Sequence, residues 1–528
     1  MNISLPLFLR NRRFSLRLRA PIFRLGALAI IALMAAPILG VVGGALFGPG
    51  AHQSVSAAAL IDYALQTALY AGGSVLLAML IALPAAWITV MYRFTGDKIV
   101  TWALFMPLAL PPYVLGYAYS HFFDYFGVSI RGMMGACVVT ALAVYPYIYL
   151  FARAALKQQS CHIQSAARLM GYSPLVTCRL VLWPLARPAV MVGATLALME
   201  TLNDIAIAEH YGVRAIGLAV YDLWLNRGDL YAACRLAVLI MLLVLGLLAI
   251  EEQGRKKQRQ YASLCDRRFA CDATTVLRGF QAHCCTGLLL LPAVTGFALP
   301  VTWFAFLTWK TPAHLWRVSF VDGLSGSLWL AVGTAVLLIA LAALFVLDKR
   351  QNGRGLLMQP LARLAQAGYA LPGTVLAQGF FVLALATSSV IGKNLLFGGL
   401  GLVIIACSTR FFIIATGALE TGMANISPQL DAATRLARKS ALSAFFTVHL
   451  PILRPAAAIA VLMLFLEGVK ELPMTLILRP FDFQTLATVV YQYASDEALE
   501  LAGPAILAMA AIGGGAVSSL FWLEGRSR

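Results

Sequence analysis

The chain has 528 residues, of which 60% are hydrophobic and 12% charged, with a mean hydropathy of +0.81. Soluble globular domains carry about 25% charged residues, so a soluble enzyme or a string of soluble domains is excluded. The formal net charge of +17 invites a nucleic-acid reading, but most of the Lys and Arg gather on segments flanking apolar runs. That is the distribution that sets membrane topology, and it excludes a nucleic-acid partner.

The chain opens on a basic tail with Arg10, Arg12, Arg13, Arg17, Arg19 and Arg24. The apolar run after it is too long for a cleaved secretory segment and reads as a retained helix. About 20 apolar residues cross a hydrocarbon core. By that measure twelve spans are expected, near Leu25–Gly48, Tyr63–Tyr92, Ile99–Tyr119, Met133–Leu156, Pro188–Ala208, Ala232–Ile250, Cys284–Trp309, Leu324–Leu347, Tyr369–Ile391, Leu395–Leu419, Pro455–Leu478 and Pro504–Leu523. An even count returns the chain to its starting side. Both termini are therefore expected in the cytoplasm.

The third span contains Leu110-Pro111-Pro112-Tyr113. Prolines inside a span free backbone carbonyls, which is tolerated where neighbours or a cavity satisfy them; a kinked helix and a pathway lining both fit. Between the fourth and fifth spans lies the polar stretch Ser165-Ala166-Ala167-Arg168-Leu169-Met170-Gly171, closed by Val181-Leu182-Trp183-Pro184 and Arg187-Pro188-Ala189. The fifth span then carries Glu200 and Asp204. A charged segment, residues 252–283, divides the chain into two halves of six spans.

The halves repeat. Gly73-Ser74 pairs with Gly333-Thr334, Ala109-Leu110-Pro111 with Ala370-Leu371-Pro372, Pro184 with Pro451, and Glu200 with Glu467. The polar stretch returns as Asp431-Ala432-Ala433-Thr434-Arg435-Leu436-Ala437, closed by Val448-His449-Leu450-Pro451 and Arg454-Pro455-Ala456. Six spans per half make the copies parallel. The expected organisation is a basic tail and first span (1–60), a first transmembrane domain (61–251), the linker (252–283), a helix and external loop (284–321) and a second transmembrane domain (322–528).

Glu200 and Asp204, and Glu467 and Glu471, are four apart, a spacing that puts each pair on one helix face. Carboxylates within spans are costly unless they face a cavity or a partner, so by default they mark a pathway. Lys470 adjoins the second pair. The alternative is internal salt bridging, of Glu467 or Glu471 with Lys470 or Arg410. The nine cysteines show no metal-ligand spacing, and no metal site is assigned. No GxxxxGK[ST] phosphate loop occurs, so the chain is expected to carry no cofactor, to bind no ATP itself and not to be an enzyme.

The duplicated polar stretch resembles the Glu-Ala-Ala, three residues, Gly, nine residues, Ile-x-Leu-Pro coupling-loop motif of bacterial ABC importer permeases. The first copy keeps the spacing, with Ser165 for Glu, Val181 for Ile and Trp183 for Leu; the second has Asp431 for Glu, Ala437 for Gly and one extra residue before Pro451. Further stretches resemble the fused permeases of ferric-iron importers: Leu110 to Tyr119, Tyr145-Pro146-Tyr147-Ile148-Tyr149, Met199-Glu200-Thr201-Leu202, Tyr211-Gly212-Val213, Lys470 to Leu476, and Arg479-Pro480-Phe481-Asp482-Phe483. Asn203-Asp204-Ile205-Ala206 departs from the Ala-Asp-Phe-Gly expected there.

The resemblance implies an all-α polytopic inner-membrane protein of the type I permease fold. It implies two copies of a separate ATPase on the coupling loops (Ser165, Ala166, Ala167, Gly171, Pro184; Asp431, Ala432, Ala433, Ala437, Pro451), a periplasmic binding protein, and ferric iron passing Glu200, Asp204, Glu467, Lys470 and Glu471. Related fused permeases carry other substrates, such as thiamine or a phosphonate. Twelve spans in two parallel halves also describe proton-coupled secondary carriers.

Overall fold

The computed structural model describes residues 21–48, 56–259, 275–310, 318–353, 358–391, 399–437 and 440–526. The Arg10 to Arg19 tail, residues 260–274 of the expected linker and Arg528 lie outside them. The described residues form helices joined by turns and loops, with one two-residue parallel strand pairing. The backbone satisfies itself within each helix, as a hydrocarbon surrounding requires.

The first half runs α1 (Pro21–Phe47), α2 (Ala57–Met91), α3 (Asp97–Ala103), α4 (Pro112–Tyr125), α5 (Met133–Leu169), α6 (Pro174–Thr177), α7 (Trp183–Asn203), α8 (Ile205–His210), α9 (Ile216–Tyr221) and α10 (Leu230–Arg259). The second runs α11 (Phe280–Ala293) into α12 (Leu299–Lys310), then α13 (Val318–Asn352), α14 (Met358–Gln366), α15 (Gly373–Ile391), α16 (Leu400–Ala424), α17 (Pro428–Leu436), α18 (Ala441–Ala444), α19 (Leu450–Lys470), α20 (Pro473–Leu478), α21 (Leu486–Ser495) and α22 (Gly503–Arg526). The order of long and short elements repeats, α2 to α10 matching α13 to α22. A stripe on α2, Leu65, Leu69, Leu76 and Leu80, is more than half exposed. At helical spacing on a long apolar helix, such a stripe is the face turned to lipid.

Two of the expected spans are sharply bent, the first of them at the prolines for which a kinked helix was one reading. Ile99–Tyr119 and Tyr369–Ile391 are bent pairs, turning by 91° and 117°. Leu110 and Leu371 take extended backbone just where each bend occurs. Pro111 and Pro372 follow them, and a residue before proline is driven out of helical geometry. Nine further helices among the described residues are long and apolar enough to cross a membrane. The remaining expected span, Ala232–Ile250, lies in α10, whose apolar part is Leu230–Gly246.

The fifth and eleventh spans also differ from expectation. Their helices start earlier, at Trp183 and Leu450, each directly after a π-helical turn (Cys178–Leu182 and Phe445–His449), and they stop at Asn203 and Lys470. The linker is shorter than expected, because residues 252–259 continue α10. Beyond it, β2 (Thr275–Val276) pairs in parallel with β1 (Tyr92–Arg93) at the end of α2. That pairing pins the start of the second half to the first.

The halves exchange their first helices. Ala27, Ile30, Met34 and Ile38 of α1 are buried with Leu338, Phe380 and Phe411 of the second half, while Phe304 and Leu307 of α12 join the core that holds Tyr113 and Tyr145. α1 crosses α15 at Gly40 and Gly379; a Cβ on either would collide with the facing backbone. Small residues permit such close helix crossings in membranes. Between these exchanged helices the two bundles face each other, and the breaks in α7–α8, α14–α15 and α19–α20 meet there.

Candidate functional site

The two copies of the polar motif adopt different local structures. In the first, Ser165, Ala166 and Ala167 belong to the last turns of α5, a helix of 37 residues that ends at Leu169; their side chains lie outside the described ones. Gly171 then turns the chain at φ 77°, a left-handed conformation that glycine adopts without strain. In the second, the corresponding segment is a separate helix, α17. Ser427-Pro428 starts it, with Ser427 Oγ accepting from Gln429 N at 3.2 Å, and proline is favoured at a helix start. The first copy has no proline there and continues α5, so a short separate helix is present only in the second. Ala437 follows α17 in a turn, and Pro184 and Pro451 each open the first turn of the next long helix.

Asp431 is braced. Arg350, from the end of α13, donates through Nε to Asp431 Oδ2 at 2.8 Å, and its other nitrogens donate to the carbonyls of Met423 and Ile426 at the end of α16. His449 Nε2 lies 2.8 Å from Asp431 Oδ1. Partial burial pushes this carboxyl up, but the hydrogen bonds from His449 and Arg350, with the Arg350 charge, outweigh that and hold it below the usual carboxylate range. One carboxylate thus ties α13, α16, α17 and the turn before α19 together. Ser165 at the matching place offers no such charge. Leu169, Met170 and Leu436 are largely exposed beside the loops. Apolar side chains exposed on a polar end are the usual mark of a docking surface.

The predicted acidic residues converge between the halves, in a different geometry from the one their spacing suggests. Glu200 lies in the last turn of α7 and Glu467 in the last turn of α19. Asp204 and Glu471 stand beyond those helices on extended backbone, so neither pair shares a helix face. Asp204 Oδ1 accepts from Ile207 N at 3.0 Å and Glu471 Oε1 from Met474 N at 3.1 Å. A carboxylate that caps the next helix offers the backbone an alternative to continuing the previous one.

Arg410, from α16, closes the group. Its Nη1 lies 2.5 Å from Glu471 Oε2 and its Nη2 3.6 Å from Glu200 Oε2, while Lys470 Nζ lies 3.0 Å from Glu467 Oε1. All five residues are buried. Salt bridging of the kind weighed from the sequence is therefore present. It is incomplete: four carboxylates face two cations, and Asp204 Oδ2 and the Tyr113 hydroxyl are buried without a hydrogen-bond partner. A cavity of about 20 Å³ lined by Pro111, Tyr113, Glu200, Asp204, Lys470 and Pro473 adjoins them, room for one water.

Sequence reasoning missed Asn203. Its Oδ1 accepts from Gly373 N at 2.8 Å, which joins the break in the first half to the bend in the second. The Pro-Gly bend at Pro372 was its available signal, since that bend frees an N–H needing a partner.

Residues 74–250 match the family model described as binding-protein-dependent transport system inner membrane component. The chain is 24% identical over 428 residues to the Fe(3+)-transport system permease protein FbpB 2 of Haemophilus influenzae, covering 80% of this chain and 82% of that one. It is 27% identical over 208 residues to the molybdenum transport system permease protein ModB of Escherichia coli, 35% of this chain and 91% of the relative. A putative 2-aminoethylphosphonate transport system permease protein, PhnU of Salmonella typhimurium, is 25% identical over 207 residues, 35% of this chain and 71% of that one.

Proposed function

The chain belongs to the family of binding-protein-dependent transport system inner membrane components, and on that premise we propose that it carries ferric iron through an ATP-driven importer. It is a multi-pass permease of the ABC transporter class; the cargo and the roles of individual residues are our own reading.

The observation that carries the cargo assignment is the charge balance between the halves. Among the described residues, Glu200 and Glu471 pair with Arg410 and Glu467 with Lys470, and Asp204 adds a fourth carboxylate to these two cations. An oxyanion such as molybdate or a phosphonate passing between the halves would meet a net negative surround, where the low dielectric makes repulsion expensive. A cation would be attracted. FbpB 2, a relative matched over 80% of this chain, is named for Fe(3+), which supports the same choice.

Arg410 and Lys470 explain how such a path avoids trapping its cargo. Glu200, Glu467 and Glu471 must each leave an internal partner before an arriving cation recruits them, so binding there is an exchange of ion pairs and stays weak. Asp204 Oδ2, already unpartnered, is the natural first contact.

In this reading a binding protein docks at the end remote from the coupling motifs, and two ATPase copies dock at the cytoplasm, one per motif. Closure of the ATPases draws the motifs together and the halves exchange which end is open. The braced loop at Asp431 passes that movement directly to α13 and α16, whereas the first loop passes it along α5. The basic residues near the motifs set both termini in the cytoplasm.

A strain stripped of its other ferric-uptake systems tests the assignment. Expression of the full operon restores growth on ferric iron in our account; restoration of molybdate-dependent growth instead would replace the cargo.

A further inference from the structure

At the end of the molecule remote from the coupling motifs, the halves meet through residues that the repeat relates. Ile216 opens α9 and Leu486 opens α21; Tyr221 and Tyr491 lie at the same place in each, both pairs 270 positions apart. The Tyr491 hydroxyl donates to Glu209 Oε2 at 2.8 Å, across the boundary between halves. The Tyr221 side chain adjoins that of Tyr491, and Tyr117 borders the same group. Glu209 follows Asp204 on α8, roughly 8 Å further along the helix axis. The group therefore stands directly outward of the central carboxylates.

Its chemistry is all oxygen. His210, next to Glu209, is turned to Ser120, with Nε2 2.6 Å from Oγ. The cations nearby are engaged, Arg131 by Asp124 at 3.0 Å and Arg214 by Asp62 at 3.3 Å. Glu209 is exposed, while Tyr221 is half-buried and Tyr491 buried. What remains is one carboxylate and two repeat-related phenols at the mouth of the path. Carboxylate and other oxygen donors suit hard, highly charged cations, and phenolate oxygen is of the same hard kind.

We propose that Glu209, Tyr491 and Tyr221 form a reception site for a hard trivalent cation between the two halves, an inference that rests on the ferric-iron reading. On binding, the Tyr491 hydroxyl releases its proton to water, and the metal takes the place of that proton between the phenolate and Glu209. The donors come from both halves: Glu209 and Tyr221 from the first, Tyr491 from the second. Parting of the halves at this end separates them, which makes the site weak in the open state and complete in the closed one.

Terbium(III) tests the site without transport, because it is a trivalent ion that favours oxygen donors and luminesces when excited through an adjacent tyrosine. The full chain in lipid nanodiscs is titrated with Tb³⁺ and excited at the tyrosine band. Saturable luminescence is expected, about tenfold weaker in apparent affinity in Glu209→Gln, where a charge-assisted contact is lost, and largely lost in Tyr221→Phe/Tyr491→Phe. Asp222→Asn, a half-buried carboxylate outside the group that pairs with Arg227 at 2.9 Å, is expected to match the parent. Equal titrations of parent and site variants, all eluting as the same monodisperse species, overturn the proposal. Ferric uptake by the parent complex is measured alongside. A Tb³⁺ site without iron uptake leaves the site standing and removes the cargo reading; iron uptake with unchanged variant titrations does the reverse.

Discussion

Arg410 and Glu200 come from opposite halves of the chain and stand 3.6 Å apart at the centre of the molecule, with Glu471 held 2.5 Å from the same guanidinium. The first half has no cation matching Arg410, since α5 is uncharged from Met133 to Phe151. One side chain therefore joins a symmetric pair of broken helices in an asymmetric way. Arg410→Gln is expected to leave Glu471 buried without its charge partner and to cost about 3–5 kcal/mol, read as a lowered thermal midpoint in detergent. Adding Glu471→Gln is expected to recover much of that loss.

Gly373 is expected to tolerate no side chain. A Cβ there would lie 3.2 Å from Asn203 Oδ1, from Met474 Cγ and from Pro473 Cβ, three neighbours at once. Gly373→Ala therefore separates the two breaks or strains them, at about 1–3 kcal/mol. Transport should fall more than ATPase association, measured as uptake rate against co-purified ATPase.

The brace at Asp431 carries a pH dependence with a definite sign. Its carboxyl is held below the usual range in the folded state, so its contribution is complete above the unfolded carboxylate range, about pH 4, and is lost as pH falls through the folded value. Hydrogen exchange of α17 should accelerate on that acid side. In Asp431→Asn the acid-side change should vanish, with α17 already faster at neutral pH.

Replacing Ala166 or Ala432 by Glu or Arg is expected to abolish uptake while the chain still inserts. Co-purification should show the ATPase lost from the altered side. Normal uptake by both variants would remove the docking assignment.

Much of this was legible in the sequence because it is carried by local signals. The duplicated Ala-Ala motifs, the Pro111 and Pro372 positions and the acids Glu200 and Glu467 all announce themselves by residue type and spacing. The bends were visible as prolines but not as turns of about a right angle, since proline position alone sets no angle. Asp204 and Glu471 fit a helix face by spacing; only the structure tells a capping carboxylate from one mid-helix. The exchange of α1 and α12 left no trace, because an apolar residue facing lipid and one facing a helix look alike in composition. Tyr221 and Tyr491 were within reach of the repeat, but they sit in short helices that no motif marks.

The most direct test is uptake into proteoliposomes holding this chain with its ATPase, supplied outside with the loaded binding protein and inside with ATP. The account predicts ATP-dependent accumulation of ferric iron that is unmoved by excess molybdate or 2-aminoethylphosphonate, is insensitive to collapse of a proton gradient, and falls at least about tenfold in Glu200→Gln/Glu467→Gln with ATPase association retained. Accumulation of an oxyanion in place of iron, or iron uptake unaltered in the double variant, would contradict it.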